Sequence, residues 1–174
     1  MTEYQKQLFL STGPLFYRKN NSWDYRAEKD FLILFSLLES YSIYRQDIID
    51  NWYLVKTPFL ALSEVGVWVK AGYCSDGASG PTVDDKTNML AAMGLHDPLY
   101  QLIRLGVIDI KHRESIDCIL RDCADTRVDM VYKNPFVRAF MHARYSVWKW
   151  SVWNFAKGAA TSGDESDIPP LEAP

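Results

Sequence analysis

The sequence predicts an α+β fold: a small, mostly antiparallel sheet from the N-terminal half, packed on about three C-terminal helices. Three observations lead there. Before residue 80 the apolar residues fall in short runs rich in β-branched and aromatic side chains. A loop at 72–81 then carries three glycines and a proline. Beyond it apolar residues recur at helical spacing. The length of 174 residues suits one domain with a full core. That domain is assigned to residues 1–158, with 159–174 as a flexible acidic tail.

Residues 31–35 form a continuous apolar run, Phe31 to Phe35, which fits a buried strand or the start of a helix through Leu38. Residues 53–55, 59–62 and 65–69 read as strands. Pro58 separates the first two, and Glu64 with Gly66 marks a turn or bulge. After the loop, Thr82 and Asp85 resemble a capping box, opening a helix from about Val83 toward Arg104. Pro98 lies inside that span, where its ring would meet the carbonyl of Gly94. The alternative is a break near Gly94, with Asp97 capping a new helix. Asp109 caps a second helix through about Arg127, with Ile116, Leu120 and Cys123 on one face. Asn134 and Pro135 begin a third. This helix carries two apolar stripes: Phe136, Phe140, Ala143, Val147 and Trp150, and Val137, Met141, Trp148, Val152 and Phe155. Two stripes on one helix predict burial on two sides, one of them against a partner. Past Gly158 the chain turns to small, acidic and proline residues, the composition of a mobile tail.

Composition narrows the function. A net charge of −3 gives no general attraction to nucleic acid, and none is expected as a partner. Cys74, Cys118 and Cys123 are odd in number and lack metal-knot spacing, so they read as plain thiols in a reducing cytoplasm. The first residues do not form a signal peptide, and no stretch has the length of a membrane span. Aromatic residues make up 14% of the chain, enough to form a contact surface beyond the core. Trp148, Trp150 and Trp153 are the candidate interaction residues, with Trp148 or Trp153 expected to be partly exposed. The partners considered are another copy, a virion protein and a lipid surface.

One constellation carries chemistry. The loop supplies Asp76, Gly77 and Ser79; the first helix supplies His96, Asp97 and Tyr100; the second supplies Asp117 between Arg113 and Arg121. His96 and Tyr100 are four apart and share a helix face. An imidazole there can take a proton from water, while the neighbouring Asp97 carboxylate holds a cation or polar substrate. Asp117 can accept a hydrogen bond from the other ring nitrogen and fix its tautomer. A Ser79–His96–Asp117 triad is a further arrangement, although Pro81 occupies the last position of what would be a nucleophile elbow. The bland readings are an interior histidine, a helix-capping Asp97, a surface ion pair at Asp117 and a turn shaped by Asp76 and Ser79.

Asp76-Gly77-Ala78-Ser79 with Pro81, then His96-Asp97 with Tyr100, then Arg113 and Asp117, resembles an uncharacterised family of bacteriophages and prophages across about residues 65–125. Gly80 stands where that family often has an aliphatic residue, and Pro98 follows its His-Asp pair. The resemblance implies a protein in the cytoplasm of an infected host cell, or associated with the virion. A more distant likeness is to secreted phospholipase A2 enzymes, which also place His-Asp-x-x-Tyr in a helix. That likeness implies His96 as base, Asp97 and the loop as calcium ligands, and Asp117 and Tyr100 as orienting groups. The disulfides of that superfamily are absent. Two functions are thus expected: a His/Asp hydrolase acting on ester or envelope-derived substrates, with calcium as its candidate cofactor, or a non-enzymatic virion, tail or host-interaction protein.

Overall fold

The computed structural model describes residues 17–19, 25–49, 59–75, 77 and 87–161, and the account below concerns these. The chain runs β1 (Tyr17–Lys19), β2 (Tyr25–Ala27), β3 (Phe31–Leu34), α1 (Phe35–Glu39), α2 (Arg45–Ile49), β4 (Leu60–Leu62), β5 (Gly66–Val69) and β6 (Cys74–Ser75). A continuous helical segment follows: α3 (Asn88–Ala91), a π-helical stretch (Ala92–His96) and α4 (Asp97–Arg104). A 3₁₀ turn (Ile110–His112) leads into α5 (Arg113–Val131), and α6 (Pro135–Thr161) completes the order. This is the expected α+β arrangement.

The strands form two three-stranded antiparallel sheets, β1-β2-β6 and β3-β5-β4, rather than one. In the second sheet Ile33 faces Val67 and Phe31 faces Val69, with Leu60 on the far side of Val69. These side chains alternate inward, as a pleated strand requires, and all five are buried. The run at 31–35 is both things its composition allowed: four residues of strand, then a helix beginning at Phe35. Gly66 opens β5 opposite Leu34, tight against the Ile33 carbonyl. A Cβ there would sit 2.1 Å from the carbonyl oxygen of Ile33, so only glycine fits. Ser63 closes the preceding turn: its Oγ donates to the Gly66 carbonyl at 2.9 Å and accepts from the Gly66 amide at 3.2 Å. The loop expected over 72–81 is corrected at Cys74–Ser75, which pair with Arg26 and Tyr25 as an edge strand. The expected strand at 53–55 and the Thr82–Asp85 capping box lie outside the described residues.

The helices share one core with the sheets. Pro98 does not break the first helix. The backbone widens to i→i+5 hydrogen bonds over Ala92–His96, with the Asp97 amide donating to the Ala92 carbonyl, and Asp97 itself stays helical. The wider turn accommodates the proline ring. Asp109 caps the 3₁₀ turn rather than the second helix itself, its Oδ1 accepting from the Lys111 amide at 2.8 Å, and α5 starts after His112 with no side-chain cap. The second helix outlasts the expected end at Arg127 by about a turn, reaching Val131. Asn134 caps α6 by accepting from the amides of Phe136 at 2.9 Å and Val137 at 3.3 Å. This helix continues to Thr161, so the tail expected from 159 is helical over its first three residues. The rest of that tail lies outside the described residues.

The two stripes of α6 mostly part: the first faces outward, and of the second Val137 is exposed while Met141 and Trp148 turn inward, joined there by Tyr145. Met141, Tyr145 and Trp148 are buried against the body, and Val152 packs on the same core. Phe136 is 85% exposed, Phe140 68%, Val147 57% and Trp150 62%. The interaction role expected of Trp148 is therefore corrected: at 1% exposure it is a core residue, while Trp150 and Trp153 face outward. Its position toward the body follows from helical spacing with Met141 and Tyr145, seven and three residues before it in sequence. Among the described residues no helix is long and apolar enough to cross a membrane.

Candidate functional site

The structure brings His96, Asp97, Tyr100 and Asp117 together. His96 ends the π-helical stretch, so its ring and that of Tyr100 stack at the start of α4, with centroids 3.9 Å apart. Asp117 lies one turn into α5 and reaches both. Its Oδ1 accepts from the Tyr100 hydroxyl at 2.6 Å and lies 3.3 Å from His96 Nε2. Its Oδ2 accepts from Arg113 Nη1 at 2.7 Å. The other flanking arginine takes no part: Arg121 pairs with Asp122 at 2.7 Å instead.

The second ring nitrogen of His96 has a partner as well. Nδ1 lies 3.2 Å from Asp97 Oδ1, and Asp97 Oδ2 accepts from the Ser75 hydroxyl. Ser75 Oγ in turn accepts from the Gly77 amide at 2.9 Å. Gly77 adopts φ 79°, a left-handed conformation that suits glycine and folds its amide back onto Ser75. One connected network thus runs from Gly77 and Ser75 through Asp97, His96 and Asp117 to Tyr100 and Arg113.

Ser75 is the member that sequence reasoning missed. Ser79 is the serine favoured there, together with Asp76, and both lie outside the described residues. The available signal for Ser75 was a hydroxyl two residues before a glycine, the pattern of a side chain that closes a turn. Gly77 enters the site through its backbone amide.

The electrostatics follow from burial and pairing. His96, Tyr100 and Asp117 are all buried, and Asp97 is half-buried. Burial pulls the His96 pKa down, but hydrogen bonds and attraction to Asp117 and Asp97 outweigh it and leave the value raised. With a carboxylate at each nitrogen, the doubly protonated ring is the form that satisfies both contacts. Its charge and that of Arg113 then balance the two aspartates. Burial, followed by the Asp117 carboxylate, pushes the Tyr100 hydroxyl far up, so it stays protonated and serves as a donor.

Such a site can hold a proton firmly, brace two helices and a strand, or release a proton from the imidazolium. Taking one up requires His96 to lose a proton first, because the charged ring has no free lone pair. The loop residues implied as further calcium ligands lie outside the described residues, and the described ones alone do not make a calcium site. Both Asp97 oxygens are engaged by His96 and Ser75, and a cationic ring beside them disfavours a second cation. Among the described residues no group of three or more His, Cys, Asp or Glu side chains is placed to hold a metal ion. Cys123 is sealed in the core and its thiol is pushed up to about 12 by burial, which leaves it unreactive.

No protein-family model, curated protein or solved structure matches the chain.

Proposed function

We propose that this chain works by binding, through the outward face of α6, and that the His96 network is a buried brace. The observation that carries this reading is the exposure of Phe136, Phe140, Val147 and Trp150 along one side of a single helix. Large apolar side chains scattered singly over a surface need no explanation, but a contiguous row of them does. Aromatic anchors are also the side chains that dominate binding energy at protein interfaces. The brace reading rests on the two carboxylates that engage both nitrogens of His96. The likeness of residues 65–125 to a phage and prophage family supports a virion, tail or host-interaction setting, within the infected cell or the particle.

Side-chain footprinting tests the binding role. Phe140 and Trp150 should be labelled in dilute purified protein and protected in cells that produce the chain in its own setting. Equal labelling in both would refute binding through this face. A catalytic reading retains one favouring observation: Tyr100 and Arg113 hold Asp117 against His96, as an acid–base site requires. Ester hydrolysis by the purified protein, lost in His96→Gln with the fold intact, would establish that reading instead.

A further inference from the structure

The outward face of α6 has a pattern of its own. Phe136, Phe140, Ala143, Val147, Trp150 and Asn154 follow one another in alternating steps of four and three residues. That is the spacing of a coiled-coil seam, which keeps one line of side chains facing a partner helix. Along α6, 27 residues long, the row covers most of the roughly 40 Å that this length spans at 1.5 Å per residue. Ala139, Ser146 and Trp153 flank the seam on one side and Val137, Arg144 and Ser151 on the other, so three of the six flanking side chains are small enough to let a second helix approach.

The charged side chains described on the helix point elsewhere. Lys149 pairs with Asp125 at 2.6 Å, and His142 contacts Asp125 and Asp129 at 2.9 and 3.0 Å. Arg138 lies 3.7 Å from Asp129, and Arg144 sits over the ring of Tyr145. The seam itself carries no charge. An anionic lipid surface would call for cations directed outward beside the apolar row. An uncharged seam is instead complementary to an identical one. Asn154, exposed at the end of the row, is the residue type that fixes register when it meets a partner within such a seam.

We infer that the partner on this face is a second copy of the chain, with α6 packed on α6 in a two-fold dimer. The inference rests on the binding reading above and names its occupant. The exposed aromatic and valine side chains offer on the order of 600 Å² per copy, against roughly 800 Å² per partner in a standard stable interface. An interface of this size sits at the weak end of stable ones, with a dissociation constant on the order of micromolar.

The test is sedimentation of the full chain over a range of concentrations, with footprinting of Phe140 and Trp150 at the lowest. The wild-type chain should move from monomer to dimer. Val147→Glu should weaken that association by at least about 30-fold, the effect of losing one central anchor. The pair Phe140→Ser and Trp150→Ser should do the same without introducing charge, and circular dichroism should show all variants folded. A dimer unaffected by these substitutions would overturn the inference. So would a monomer at about 100 µM, well above the expected dissociation constant. In the monomer case, labelled Phe140 and Trp150 would leave the binding reading standing with a different partner. If both were protected in a monomer, the face would be covered within the chain, and the binding reading would fall too.

Discussion

His96 shows how one residue's chemistry depends on what faces it. A histidine buried alone would be neutral; this one lies between Asp97 and Asp117, and its pKa is raised despite burial. Proton-coupled stability has a definite sign here. The contribution is fully present below the ordinary histidine range and is lost as pH rises through the raised folded value. In an NMR titration the His96 ring should change protonation above the range of an exposed histidine, and Asp117→Asn should move that step downward. A wild-type ring titrating below the ordinary range would refute the imidazolium. Asp117→Ala should cost about 3–5 kcal/mol in denaturant unfolding, because it strands Arg113 and His96 without their shared carboxylate. Much of this centre was legible in the sequence. Four-residue spacing put His96 and Tyr100 on one face, and an acidic residue early in the next helix was in reach of both. Ser75 was not legible, since its role depends on an edge strand of two residues that leaves no periodic trace. The engagement of both ring nitrogens was also hidden, because it depends on the turn of the Asp97 side chain as well as its place in sequence.

At the scale of elements, local geometry settles what composition left open. Apolar pattern identified the second and third helices; Asn134 caps the third, whereas Asp109 caps only the 3₁₀ turn that leads into the second. The π-helical turn before Pro98 was not readable: a proline inside a helix signals a conflict, and packing decides between a break and a widening. Gly66 was readable as a special position but not for its reason, the 2.1 Å approach to the Ile33 carbonyl. Gly66→Ala should therefore lower the unfolding free energy by about 2 kcal/mol or more, well above the ordinary cost of changing a strand residue. A change under about 0.5 kcal/mol, the range of neutral surface substitutions, would show that β3 and β5 can part freely. The clasp between α5 and α6 has its own pH signature. Burial lowers the His142 pKa, but Asp125 and Asp129 raise it further, so its stabilisation too is lost as pH rises through the folded value. Lys149 and Arg138 keep their contacts with the same aspartates throughout. The drop in melting temperature between about pH 6 and pH 8 should thus shrink in His142→Gln. An unchanged drop would assign the pH dependence to other groups, His96 foremost.

For the molecule as a whole, α6 joins a core to a surface. Its inner side completes the fold: Tyr145 pairs its hydroxyl with that of Thr87, and Trp148 stacks near Tyr145 with centroids 5.8 Å apart. Its outer side contributes little to the isolated chain, because Phe140 and Trp150 remain largely in water. Two substitutions of the same residue type should therefore part sharply. Trp148→Ala removes a large side chain from a closed site, losing its transfer free energy and leaving a cavity, for about 3–5 kcal/mol. Trp150→Ala removes an equally large ring from the surface and should stay within about 0.5 kcal/mol in dilute protein, where association is absent. Denaturant unfolding of both variants at low concentration measures the contrast. As concentration rises, wild-type stability should climb through mass action while that of Trp150→Ala stays flat, because a partner that binds only the folded state stabilises it. A loss above about 2 kcal/mol for Trp150→Ala in the dilute monomer would mean that the ring is already buried in the fold, and the outer face of α6 would then belong to the core.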